Sequence, residues 1–163
     1  MNGRRLSGDV GAGQSGIMLL ETLIAILIFS LGILAVIGIQ ATSIRMAADA
    51  QLRSKASLLA DRLVGEMWAS GGKITDLATK FQSPGGTSYV KWRDEGVMGA
   101  GGLPGVDPEG DTAPTVAITS GGVVDGEARN AQVTITLFWR THAMSADESP
   151  HRHTVISFIS RNP

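Results

Sequence analysis

Residues 17–39 read IMLLETLIAILIFSLGILAVIGI, 23 positions in which only Glu21, Thr22, Ser30, Gly32 and Gly38 interrupt apolar side chains. As an α-helix this stretch would be about 35 Å long at about 1.5 Å per residue, enough to cross a hydrocarbon layer of about 30 Å. A helix that is apolar on every side is not the surface helix of a small soluble domain. The expectation is therefore one membrane-spanning helix. The competing reading is a secretory signal peptide cut near Ala48-Asp49-Ala50. An apolar region of roughly 7–15 residues is usual there, and this one is much longer. Charge leaves the orientation open, because Arg4 and Arg5 on one side face Arg45, Arg53 and Lys55 on the other.

The helical pattern does not stop where the apolar run does. Ile44, Ala48, Leu52, Ala56, Leu59, Leu63 and Met67 recur at steps of three or four, which traces a single apolar face. Arg45, Asp49, Arg53, Asp61, Arg62 and Glu66 fall mainly off that face, and no proline occurs before Pro84. The spacing predicts one helix from about residue 17 to residue 70, ended by Gly71-Gly72 and about 80 Å long. Cleavage near Ala50 would discard half of it. Gly32 and Gly38 each lower helix propensity by about 1 kcal/mol relative to alanine. They allow close packing or local unwinding, or are simply tolerated in an apolar helix.

Glu21 is the anomaly in the apolar run. An ionised carboxylate deep in a bilayer costs on the order of a few kcal/mol and normally has a partner. No basic residue stands at 24, 25 or 28. A cut between Gly16 and Ile17 would create an α-amine four residues before Glu21, and both that amine and the positive end of the helix dipole favour a carboxylate. The same pairing is available between neighbouring chains displaced along a bundle. A protonated or snorkelling glutamate is the other reading of the same spacing.

Gly16 followed by IMLLE, a short polar leader with Arg4 and Arg5, and the apolar run after Glu21 resemble the class III leader of type IV pilins and type II secretion pseudopilins. The resemblance implies cleavage by prepilin peptidase after Gly16, N-methylation of the new terminal residue Ile17, and subunit docking through Glu21. The family usually places Phe or Met where Ile17 stands. Residues 31–70, LGILAVIGIQATSIRMAADAQLRSKASLLADRLVGEMWAS, are similar to the minor pilins called type IV pilus modification proteins, the PilV family. That likeness covers roughly residues 16–70, and beyond it only the layout agrees. The implied protein is a minor pilin that is incorporated into the type IV pilus or primes its assembly. Its partners would be prepilin peptidase, other pilins through the N-terminal helix, and the bacterial inner membrane. The precursor would cross that membrane once with a periplasmic head, then enter the pilus. A minor pseudopilin of a type II secretion system shares the leader and helix, and a DNA-binding tip pilin is a further alternative.

The expected organisation is a leader at 1–16, a membrane or filament-core helix at 17–40, its amphipathic continuation at 41–70 and a head at 71–163. Residues 71–126 hold 13 of the 21 glycines and four of the six prolines, so they read as loops. Residues 88–92 (SYVKW) and 115–119 (TVAIT) are candidate short strands within them. The clearest strand is 131–139, where Val133, Ile135, Leu137 and Trp139 alternate with Gln132, Thr134 and Thr136. Residues 154–160 (TVISFIS) form a second, and the polar segment 140–153 predicts an antiparallel pair with a long connection. One sheet face would cover the apolar stripe of the helix. The fold class is α+β, an arrangement that resembles the pilin αβ-roll.

Composition narrows the chemistry. The absence of cysteine removes disulfides, thiolate zinc sites and cysteine nucleophiles. A net charge of −1, with the leader at +1, lacks the basic excess that phosphate binding needs, so no nucleic acid is expected. His142, His151 and His153 are the only histidines. His151 and His153 would lie on one side of an extended chain, but no third ligand is evident and a solvated loop is expected rather than a metal site. Asp107-Pro-Glu109-Gly-Asp111 lacks EF-hand spacing and reads as a turn. Gly99-Ala-Gly101-Gly102 has no GKT or GKS continuation. No Ser-His-Asp set can be assembled, so neither an enzyme nor a cofactor is expected.

Overall fold

A computed structural model describes residues 14–124, 126–145 and 147–161. The leader expected at 1–16 lies outside the described residues up to position 13. The chain divides into two compact units between Ala48 and Asp49. The fold class is α+β: a long N-terminal helix followed by short helices and a three-stranded antiparallel sheet.

Helix α1 spans Gln14–Ala69, 56 residues without a break. Gly32 and Gly38 sit inside it, and a methyl group at either would meet no atom within 4 Å. The helix stops where Gly71 and Gly72 take φ values of 58° and 80°, a left-handed conformation that side chains with a Cβ resist. From Asp49 onward the helix belongs to the head unit. Of the expected stripe, Ala56, Leu63 and Met67 are buried and Leu52 and Leu59 half-buried, with Ala60 buried beside them, whereas Ile44 and Ala48 are exposed.

Strand β1 spans Thr115–Val124, β2 Glu127–Trp139 and β3 His151–Ser160, in the order β1-β2-β3. Gly126, just before β2, takes φ 79°, a left-handed value that glycine adopts without strain. Along β2, Ala131, Val133, Ile135, Leu137 and Trp139 all point inward and are fully buried. Val116 of β1 stands opposite Ile135, and Ile159 of β3 opposite Ala131. These residues and the apolar face of α1 form one core. The expected antiparallel pair at 131–139 and 154–160 is present in register from Asn130↔Ser160 to Trp139↔His151.

Two expectations for the glycine-rich stretch need correction. Residues 88–92 are not a strand: helix α3 spans Thr87–Lys91 and runs into a π-helical turn at Trp92–Val97. Tyr89 and Trp92, three apart, both turn into the core with ring centroids 6.1 Å apart, and Val97 follows. A strand would have sent Tyr89 and Trp92 to opposite faces. Tyr89 donates to the Pro114 carbonyl at 2.7 Å, and Trp92 Nε1 donates to the Leu59 carbonyl at 2.9 Å. The stretch also contains helix α2, Ile74–Phe81, whose Ile74, Leu77 and Phe81 are buried. The Asp76 carboxylate accepts from the Lys73 amide at 3.0 Å and closes the first turn.

The end of α1 is tied to the end of the sheet. Arg161 donates to the carbonyls of Met67 (2.8 Å), Gly71 and Gly72 (2.5 Å), and to Ser70 Oγ (3.1 Å). The Met67 carbonyl belongs to the last turn of α1, where carbonyls lack intrahelical partners, and the guanidinium fork meets it together with the Gly71-Gly72 turn that follows. Arg161→Ala should cost about 1–2 kcal/mol. A thermal melt of the full chain in detergent should then fall by roughly 4–8 °C. An unchanged melt would show the clamp to be inert.

Candidate functional site

The N-terminal part of α1 is a helix in which polar side chains are rare and mostly satisfied locally. Thr22 Oγ1 donates to the Met18 carbonyl at 2.8 Å, Ser30 Oγ to Ile26 at 2.7 Å and Thr42 Oγ1 to Gly38 at 3.1 Å. Bonding to the carbonyl four residues back removes the need for a partner outside the helix. The large apolar side chains from Ile17 to Ile39 are all exposed, Phe29 at 70% and Ile39 at 72% among them. This segment has the length and composition of a membrane span.

Glu21 is the exception. It is exposed, and none of the ion pairs among the described residues includes it. It is also the one charged residue between Asp9 and Arg45. Gly16 and Ile17 lie in the first turn of α1, one helical turn before Glu21, and both are exposed. The nitrogen of Ile17 is a neutral amide, and no basic side chain lies within this segment.

His151 and His153 belong to β3 rather than to a solvated loop, because the strand begins three residues earlier than expected. Both face inward and are half-buried. His151 stacks on Trp139 with centroids 5.6 Å apart, and its Nε2 lies 3.9 Å from Asp49 Oδ1. Asp49 also accepts from Arg53 at 3.0 Å. His142 is exposed in the connection before β3. Among the described residues no three acidic or histidine side chains gather as metal ligands would.

The acidic segment 107–111 is a turn held by its own groups. Asp107 Oδ1 accepts from the Glu109 amide at 3.0 Å, and the amide of Asp107 donates to buried Thr112 at 2.8 Å. Asp111 binds Arg140 at 2.8 Å, so its charge is already answered by a guanidinium. Arg140 also reaches the Glu148 carbonyl at 2.6 Å and so joins the two loops at that end of the sheet.

Lys73 and Glu127 form an exposed ion pair in a shallow cleft with Arg129 and Arg161. The hydrogen bond between them raises the ammonium above its usual range and lowers the carboxyl below its own. The lowered acid supports folding above the ordinary carboxylate range and loses that support as pH falls through its folded value. The raised base loses its support as pH rises through its own. Exposure keeps either effect small. Elsewhere burial raises the Tyr89 hydroxyl, and Arg93 sits over that ring at 5.8 Å while pairing with Asp94 at 2.7 Å.

Sequence reasoning found the lone acid and the small-residue bond before it. It missed the Arg161 clamp, since nothing local marks an arginine 91 residues beyond Ser70 as its partner. No protein-family model, curated protein or solved structure matches the chain.

Proposed function

We propose that the chain is a minor pilin of the PilV kind, made as a single-pass inner-membrane precursor with a periplasmic head and carried into a type IV pilus. The observation that carries this reading is the isolated Glu21 in an apolar, uncovered helix whose hydroxyls are self-satisfied, one turn after the exposed Gly16–Ile17 bond. Prepilin peptidase cuts after Gly16. Ile17 then carries an α-amine that is N-methylated, and Glu21 pairs with such an amine on an adjacent subunit as the helix leaves the membrane. In a low-dielectric bundle that pair is much stronger than in water, and it registers one helix against the next. The head covers the second half of the helix and needs no cofactor or nucleic acid for this role. A minor pseudopilin would use the same leader and helix; residues 31–70 favour the pilus.

Intact-mass spectrometry of the native membrane protein tests the reading. The expected mature chain starts at Ile17 and carries one added methyl group. Gly16→Ala should leave at least about nine-tenths of the chain as full-length precursor, because a side chain at that position obstructs the peptidase. A natural product that keeps residues 1–16, or begins near Ala50, would overturn the assignment.

A further inference from the structure

The inner face of the sheet is filled by the core, and the outer face points the other way. Alternation along β2 sends Asn130, Gln132, Thr134 and Thr136 outward, and the register brings their neighbours to the same face. Thr119 and Phe158 flank Gln132; one row further on, Gly121 and Ser160 flank Asn130. From Thr115 to Gly121, from Asn130 to Thr136 and from Thr154 to Ser160, every outward position is uncharged.

Within this array lies a shallow groove of about 410 Å³, whose lining includes Thr119, Asn130, Gln132, Phe158 and Ser160. All five are exposed, the Phe158 ring at 67%. The four polar side chains make no hydrogen bond to another described residue, whereas Thr136 and Thr154 on the same face bond to each other at 3.3 Å. The Asn130 amide fills space that only glycine leaves. A Cβ on Gly121 would stand 2.8 Å from its Oδ1, and one on Gly122 would stand 2.7 Å from its Nδ2. The two rows are about 7 Å apart along the strands, and the three strands span about 10 Å, the scale of one or two sugar rings.

The groups on this face select the chemistry of an occupant. A phosphate or sulfate needs a cation, and Arg152, on the same face, stands six residues or about 20 Å from Phe158. A wholly apolar partner would strip water from four polar side chains and leave them unpaired. The ligand that fits has an apolar C–H face and neutral hydroxyls around it, which is the chemistry of a pyranose.

We propose that this groove binds a neutral hexopyranose unit of a glycan. The C–H face of the sugar lies on the Phe158 ring, whose negative face favours the slightly positive C–H groups. Asn130 and Gln132 each offer two donors and a carbonyl acceptor, and Thr119 and Ser160 each a hydroxyl, so the sugar hydroxyls meet both donors and acceptors. The site uses residues of the head alone and does not depend on the pilin reading.

The full-length chain, held in a zwitterionic detergent without a sugar headgroup, tests this on immobilised maltohexaose, cellohexaose and mannohexaose and on their sulfated forms. At least one neutral oligosaccharide should retain the chain, and its sulfated form should retain it less. Phe158→Ala should weaken that binding at least about fivefold and Gln132→Ala at least about threefold. Circular dichroism and the thermal melt should stay unchanged, since both side chains are exposed. Ile156→Ala, one row away and outside the groove, should bind as the wild type does. Retention on none of the three sugars, stronger retention on the sulfated forms, binding indifferent to Phe158→Ala, or an equal loss from Ile156→Ala would each overturn the proposal.

Discussion

Trp139→Ala should lower the melting temperature of the full chain in detergent by roughly 12–20 °C, from a loss of about 3–5 kcal/mol. Trp139 is fully buried at the end of β2, stacks on His151 and closes the core against α1. Its removal empties the largest side-chain volume among the fully buried residues. The indole nitrogen itself has no hydrogen-bond partner among the described residues. The loss is therefore one of packing, not of a polar contact. Trp139→Phe should recover more than half of the stability, because it keeps an aromatic ring against His151 and removes an unpaired donor. If Trp139→Phe fell as far as Trp139→Ala, the indole nitrogen would have to hold a partner after all.

Glu21→Ala should enter the membrane and be cut normally, yet be incorporated into filaments at least about tenfold less than the wild type. Insertion is not at risk, because the change removes the only ionisable group from a span that is otherwise apolar. On the proposed reading, cleavage depends on Gly16 and the leader. What disappears is the charge that would meet the new amine of Ile17, and in a low-dielectric helical bundle a few kcal/mol of lost pairing exceeds tenfold. Glu21→Gln should behave like Glu21→Ala, because it keeps the side-chain length without the charge. Membrane fractionation, intact mass and quantified filament content separate the three steps. Wild-type incorporation of either variant would remove the docking role.

The long helix was legible because two different periodic signals join without a break. A uniformly apolar run gives way to a stripe at steps of three and four, and Gly71-Gly72 marks the end. Strand β2 was equally plain: Val133, Ile135, Leu137 and Trp139 alternate with Gln132, Thr134 and Thr136, a pattern that a one-residue slip would destroy. Residues 88–92 failed on the same logic, since Ser88, Val90 and Trp92 allow an alternating reading and five residues are too few to choose a period. Helix α2 was hidden by the glycines around it, although Ile74, Leu77 and Phe81 carry its face. The histidines were placed in a loop because the strand pattern weakens before Thr154. Their inward position depends on Trp139 across the ladder.

What the sequence by itself determined is the division of labour along the chain: a lipid-compatible helix with one acid, its amphipathic continuation and a strand-rich remainder. Those properties are written in local periodicity and polarity, which need no distant partner to be read. Only the tertiary structure decided which residues are brought together from far apart in the chain, namely Arg161 with the end of α1, Ser83 with β1, and the stacked pair Trp139 and His151. It also set Phe158 beside Gln132 on one face of the sheet, because strand order and register are properties of pairing, and pairing between distant segments leaves no periodic trace in either one.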